Sequence, residues 1–145
     1  MNIFLSVSYS SEISADGSVN AAYRHDLEAV IAVLEEAGHK VFCAPRTDNW
    51  ILKNVSPSEG FNQDIDEILK SDVIVALIGE KISAGQQFEL GFAFHAKKRL
   101  ILAHKADVKL PYIDQGLVDQ PDVSDVAYEN IQTLHTDIVQ HLELK

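Results

Sequence analysis

Apolar positions along this chain fall into two alternating periods. Ile3 to Val7 is a short, nearly continuous apolar run, which predicts a strand buried on both faces. Residues 8–18 are rich in Ser, Gly and Asp and predict a loop. Tyr23, Leu27, Val30, Ile31 and Leu34 then recur at helical spacing, and Gly38 follows as a stop signal. Lys40 to Ala44 reads as a second strand ended by Pro45. After an irregular stretch from Arg46 to Pro57, Ser58 is the expected cap of a helix striped by Phe61, Ile65, Ile68 and Leu69. Behind Asp72, the residues Val73 to Ile78 are apolar without a break, the strongest strand signal in the chain. A polar loop from Gly79 to Ala84 leads into a helix from Gly85 to Lys97. Arg99 to Ala103 is the fourth strand. Residues 104–125 hold Pro111, Gly116 and Pro121 and leave a further short strand or helix open. Ala127, Ile131, Leu134, Ile138 and Leu142 mark a last amphipathic helix.

This order of elements predicts an α/β fold. The expectation is one doubly wound, Rossmann- or flavodoxin-like domain over residues 1–145, with a parallel sheet of about four to five strands and helices on both faces. Ligands of such sheets sit at the carboxyl ends of the strands, at a topological switch point. The loops to watch follow Val7, Ala44, Ile78 and Ala103.

Charge narrows the function classes. The chain has 12 basic and 22 acidic residues, a formal net charge of -10. Such a surface repels polyphosphate, so no nucleic-acid polymer is expected as a partner. The longest basic cluster, Lys97-Lys98-Arg99, is too short for an anchor on anionic lipid, and no membrane partner is expected. The apolar run at the start is too short for a signal peptide or a membrane span. A single cysteine, Cys43, permits no internal disulfide, and its place in an apolar strand favours a buried thiol over a nucleophile. The expected location is the reducing cytoplasm. The six His are scattered and no HExxH occurs, so no metal is expected. P-loop, GxGxxG and GxSxG patterns are absent too, and no cofactor is implied.

The residues that remain are carboxylates. Asp64 lies at the edge of a helical stripe and Asp72 opens the central strand. Glu89 sits between Phe88 and Leu90-Gly91 near a helix start, although helices normally turn Glu to the wet face. Read one at a time, these are ordinary choices: a solvated Asp, a strand-start Asp and a Glu favoured by the helix dipole. Arg46 and Trp50, in the loop after the second strand, are candidates for a ligand contact and for a lid or interface anchor. Ordinary surface packing is the more frequent role for either.

Taken together, residues 61–102, FNQDIDEILKSDVIVALIGEKISAGQQFELGFAFHAKKRLIL, resemble the core motif of the nucleoside 2-deoxyribosyltransferase family, which includes the 2'-deoxynucleoside 5'-monophosphate N-glycosidases. The carriers are Asp64, Asp72 eight residues later, the stretch Ser83-Ala84-Gly85-Gln86-Gln87-Phe88-Glu89, and Glu89-Leu90-Gly91. Likeness is weaker over Asn2 to Tyr9 and Tyr23 to Ala44. The resemblance implies cleavage or transfer at the N-glycosidic bond of a small nucleoside or nucleoside 5'-monophosphate. Glu89 would be the nucleophile and Asp64 the proton shuttle, with Asp72 orienting the site. Such chemistry passes through an oxocarbenium-like state that a carboxylate can trap. Substrate contacts are implied for Ser83, Gly85, Tyr9, Ser6 and Ser8. Ser83 stands where free-nucleoside transferases carry Asp, which leans the substrate toward a 5'-phosphate. The family's shared sites imply a homo-oligomer, a dimer or larger.

The chain departs from that pattern in places. Ser6-Val7-Ser8-Tyr9-Ser10-Ser11 replaces an Arg-bearing glycine loop, and Gln87 stands where a glycine is usual. Two other readings stay open: a nucleotide-binding or signalling module of the same fold without turnover, and an interaction protein that uses its helix faces. The binding module predicts Glu89 paired with a basic group or hydrogen-bonded away; the interaction protein predicts an apolar patch and no convergent polar cleft.

Overall fold

The computed structural model describes residues 1–81 and 83–143; Ile82, in the loop expected after the third strand, and residues 144–145 lie outside the described residues. Strands β1 (Asn2–Val7), β2 (Lys40–Phe42), β3 (Val73–Ile78), β4 (Arg99–Lys105) and β5 (Val123–Tyr128) form one sheet in the order β2-β1-β3-β4-β5. Every pairing is parallel. Parallel neighbours need crossover connections, and helices supply them. Helix α1 (Ala21–Glu36) joins β1 to β2. A one-turn α2 (Ala44–Thr47) and α3 (Pro57–Lys70) lead to β3. Helix α4 (Ala84–His95) leads to β4, α5 (Tyr112–Leu117) to β5, and α6 (Ile131–Glu143) closes the order.

Alternation along β1 divides the core in two. Ile3, Leu5 and Val7 pack under α1 and α6, against Leu27, Val30, Ile31, Leu134 and Ile138. Phe4 points to the other layer, where Ile68 of α3 and Leu90 and Ala93 of α4 cover Ile74, Ala76 and Leu100. Ser6 follows Phe4 on that second face. Successive connections run in opposite directions from the β1–β3 pair, so a crevice opens at the carboxyl ends of these two strands.

The doubly wound α/β expectation holds, with five strands. Several boundaries differ. Ser56, not Ser58, caps α3: its hydroxyl accepts from the Glu59 N–H while the Glu59 carboxylate accepts from the Ser56 N–H, and Pro57 opens the first turn, where a missing N–H costs nothing. Likewise β2 ends at Phe42 rather than Ala44, and Pro45 sits in the first turn of α2, which begins at Ala44. Ala127 belongs to β5 and not to the last helix, which begins at Ile131. β5 is an edge strand in which only Val126 is fully buried, so its sequence carries no continuous apolar run. Trp50 is neither lid nor surface residue. It is 5% exposed in the α1 layer, with the Arg24 guanidinium 5.0 Å from its ring centre. Arg46 ties α2 to its surroundings, through Glu35 at 2.8 Å and the Val41 carbonyl.

Candidate active site

The crevice is built from its floor upward. At the carboxyl end of β1 the buried Ser6 donates its hydroxyl to Oε2 of Glu89 at 2.5 Å, in the range of a hydrogen bond to a charged acceptor. Glu89 is delivered by the second turn of α4. The start of that helix is fixed by Ser83, a buried N-cap whose hydroxyl accepts from the Gln86 N–H at 3.4 Å. Gln86 then locks α4 to the sheet. Its amide nitrogen donates to the Ser6 and Leu77 carbonyls, both at 3.0 Å, so it bridges the ends of β1 and β3. Its amide oxygen lies 3.3 Å from the Ser8 hydroxyl, which also reaches the Lys81 carbonyl at 2.8 Å.

Asp64 approaches from α3. With Tyr9 and Asp48 it lines a cavity of about 530 Å³ whose wall includes Phe61 and Gln63. The Tyr9 phenol donates to Oδ2 of Asp48 at 3.0 Å. Where α3 meets α4, the rings of Phe61 and Phe88 lie 5.6 Å apart. A larger cavity of about 560 Å³, between α1 and α6, involves neither Asp64 nor Glu89.

The carboxyls perturb one another. Burial pushes Glu89 up to about 8; the Ser6 hydroxyl, which favours the charged form, opposes this, and the nearby Asp64 adds to it. Burial raises Asp64 to about 6, with a further push from Asp48. Burial also raises Asp48, against the Tyr9 hydrogen bond, and Tyr9 itself is raised by burial and by Asp48. Asp64 lies in electrostatic reach of both Asp48 and Glu89, and burial raises all three carboxyls, which favours a site in which protons move. Among the described residues no ion pair includes Glu89; of the two signatures expected of a non-catalytic module, the basic partner is not seen, and a hydrogen bond, from Ser6, is.

Most of the residues singled out in the sequence converge here. Ser6, Ser8, Ser83 and Glu89 share one polar network, joined through Gln86. Tyr9 and Asp64 share the adjoining cavity. Asp72 does not join them. It lies exposed at the opposite, amino end of β3, where Oδ2 accepts from the Asn2 N–H at 2.7 Å and its own N–H donates to the Asn2 carbonyl at 2.8 Å. Asn2 and Ser6 are separated along β1 by about 13 Å at the usual strand rise. Asp72 therefore clips the first two strands together, as a strand-start residue does. Gly85 is exposed in the first turn of α4, and a Cβ there would meet only the Ser83 hydroxyl at an ordinary 3.6 Å. No steric demand for glycine exists at that position.

Two buried polar side chains escaped sequence reasoning. Gln86 stands four and seven residues before Leu90 and Ala93, on the inward stripe of α4, and a polar residue on such a stripe is a usable signal. Asp48 sits in an irregular stretch and carries no comparable signal.

No family model matches this sequence, and no curated protein matches it. Solved structures do. The Clostridium botulinum CMP N-glycosidase BcmB superposes with a TM-score of 0.67 at 24% identity, over 99% of this chain and 100% of that one. The solution structure of BlsM gives 0.80 at 26% identity, over 94% and 86%. A 2-deoxyribosyltransferase from Bacillus psychrosaccharolyticus gives 0.67 at 18%, over 93% and 90%.

Proposed function

From the premise that the chain carries the fold of the nucleoside 2-deoxyribosyltransferases and N-glycosidases, we propose that it cleaves or transfers the N-glycosidic bond of a small nucleoside or nucleoside 5'-monophosphate. The observation that carries this reading is Glu89: a crowded carboxyl, hydrogen-bonded by Ser6 at the switch-point crevice and coupled to Asp64 on the facing helix. The structural neighbours, an N-glycosidase and a 2-deoxyribosyltransferase, support the class of chemistry; the roles of individual residues rest on the geometry.

Glu89, ionised, attacks C1' from the face opposite the base. The C1'–N bond breaks, its electron pair passes to the departing base, and Asp64 gives that base a proton. Attack of water on C1' breaks the glycosyl ester and restores the Glu89 carboxylate, with the water proton returning to Asp64. A second base in place of water gives transfer. Ser6 and Gln86 hold Glu89 and the strand ends in place. Ser83, Ser8 and the first turn of α4, including Gly85, form the edge where a 5'-substituent would lie. Asp72 has no part in this chemistry. The reading also takes the chain to act as a homo-oligomer that meets through the exposed aromatic face of α3 and α4.

The test is base release from a panel of ribo- and deoxynucleosides and their 5'-monophosphates, read by chromatography with and without an acceptor base. Glu89→Ala should lower release by at least about 10³-fold, the scale expected when an essential nucleophile is lost. Asp64→Asn should lower it less and retain a glycosyl adduct on Glu89 detectable by intact-protein mass. A panel that yields no base with any substrate or acceptor would sink the proposal and leave a binding module.

A further inference from the structure

Asp48 is the one carboxylate of the site that bond cleavage leaves without work. Only 5% of it is exposed, yet it lines the cavity that Tyr9 and Asp64 also line. Its Oδ2 is taken by the Tyr9 phenol. Its backbone is held firmly: Asn54 donates its side-chain amide to the Asp48 carbonyl at 2.7 Å, and Asp48 N–H donates to Ala44. The next two residues, Asn49 and Trp50, both have left-handed backbone at φ 54 and 61. That conformation is uncommon for Asn and strained for Trp, and such strain persists only where the surroundings fix it. The buried Trp50 ring and the bonds Trp50 N–H to Pro45 and Val19 N–H to Trp50 do so here.

The cavity is also short of positive charge. Its polar lining is Tyr9, Asp48, Ser56, Gln63 and Asp64, and among the described residues no Lys, Arg or His contributes. A wall with two carboxyls and no cation suits a ligand edge that donates. Heterocyclic bases differ in that respect: an exocyclic amino group donates where an oxo group accepts, and a carboxylate pairs naturally with the cytosine amine. An oxo base would set a carbonyl against the remaining oxygen of a buried carboxylate, and neither acceptor would gain a donor from the other.

We propose that Asp48 is the base-reading residue of this cavity and that it selects amino bases, of the 4-aminopyrimidine and 6-aminopurine type, over their oxo counterparts. This rests on the glycosidic reading for the placement of the ligand and adds to it the class of base. Tyr9, by holding Oδ2, turns the remaining oxygen of Asp48 toward the ligand.

The experiment separates recognition from turnover. Glu89→Gln, which cannot form the glycosyl ester, is titrated calorimetrically with 2'-deoxycytidine, 2'-deoxyuridine, 2'-deoxyadenosine and 2'-deoxyinosine. The amino member of each pair should bind at least about 10²-fold more tightly, the scale seen where a polar site meets an analogue lacking its hydrogen-bond partner. Adding Asp48→Asn should remove or invert that preference. N4,N4-dimethyl-2'-deoxycytidine, whose amino hydrogens are gone, should bind as weakly as 2'-deoxyuridine, and this arm needs no substitution at Asp48. Equal affinity for amino and oxo ligands, a preference that survives Asp48→Asn, or no binding of any of them overturns the proposal. Amino-selective binding without base release in the unsubstituted protein upholds Asp48 and fails the glycosidic reading instead.

Discussion

Glu89 is under two opposing demands. The proposed attack on a sugar carbon needs its charged form, whereas its burial favours the neutral one. The coupled pair titrates in two macroscopic steps, near the values of about 6 for Asp64 and about 8 for Glu89, and these belong to the pair rather than to either group. Between those values the pair shares one proton, held mostly by Glu89; the reactive form is the minor tautomer in which that proton sits on Asp64. A plot of kcat/KM against pH should therefore be bell-shaped, rising through about 6 and falling through about 8. A profile that climbs or falls monotonically from pH 5 to 9.5 would contradict the assignment. Stability follows the same proton. The folded carboxyl binds it more tightly than the unfolded chain does, so this contribution is full below the ordinary carboxylate range and is lost as pH climbs through about 8. Glu89→Gln, neutral at every pH and still able to accept from Ser6, should match the natural protein near pH 4. It should exceed it above pH 8 by a few kcal/mol, with about 5 as a ceiling, measured by urea unfolding. An equal difference at both pH values would show that the carboxyl carries no such burden.

At the scale of elements, Gln86 does what no strand or helix alone can do: it joins the ends of β1 and β3 to the start of α4. Gln86→Leu fills the space but strips the Ser6 and Leu77 carbonyls of a donor. The cost should be about 2–3 kcal/mol by denaturant midpoint, since each buried acceptor left bare carries a desolvation penalty. A loss under half of that would mean water replaces the amide. Activity should fall with it, because Ser6 and Glu89 lose their fixed spacing. Elements were readable in the sequence wherever burial on both faces forced continuous apolar runs, as in β1, β3 and β4. β5 hid because one edge strand needs little apolar surface. The cap of α3 moved from Ser58 to Ser56 because a Ser-Pro-x-Glu box competes with any serine two residues on. For the site, Glu89 and Asp64 were legible through their motif, while Asp72 shared the motif but not the place. Nothing in a one-dimensional spacing tells which end of a strand a side chain guards.

On the scale of the whole molecule, the apolar surface is unevenly spread. Phe61 is 54% exposed, Phe88 50% and Leu69 51%, all on α3 and α4, and Ile113 of α5 is 69% exposed. The stripe written in the sequence for α3 is thus only partly core: Ile68 is buried, Ile65 is half-buried, and Phe61 and Leu69 are exposed. Exposed apolar surface such as the paired rings of Phe61 and Phe88 marks association sites. Sedimentation velocity should show a dimer or larger species, and Phe88→Asp or Leu69→Asp should shift it to monomer; a monomeric natural protein at about 100 μM would remove the oligomer from the proposal. The opposite layer carries a quieter property. Cys43 has no exposed surface, and burial lifts its thiol to about 12. An alkylating reagent reaches a thiol of that kind only while the structure around it is open. The sulfur is therefore a clock: its rate of labelling counts how often the β2 edge and α2 come away from the sheet, with no added probe and no altered residue.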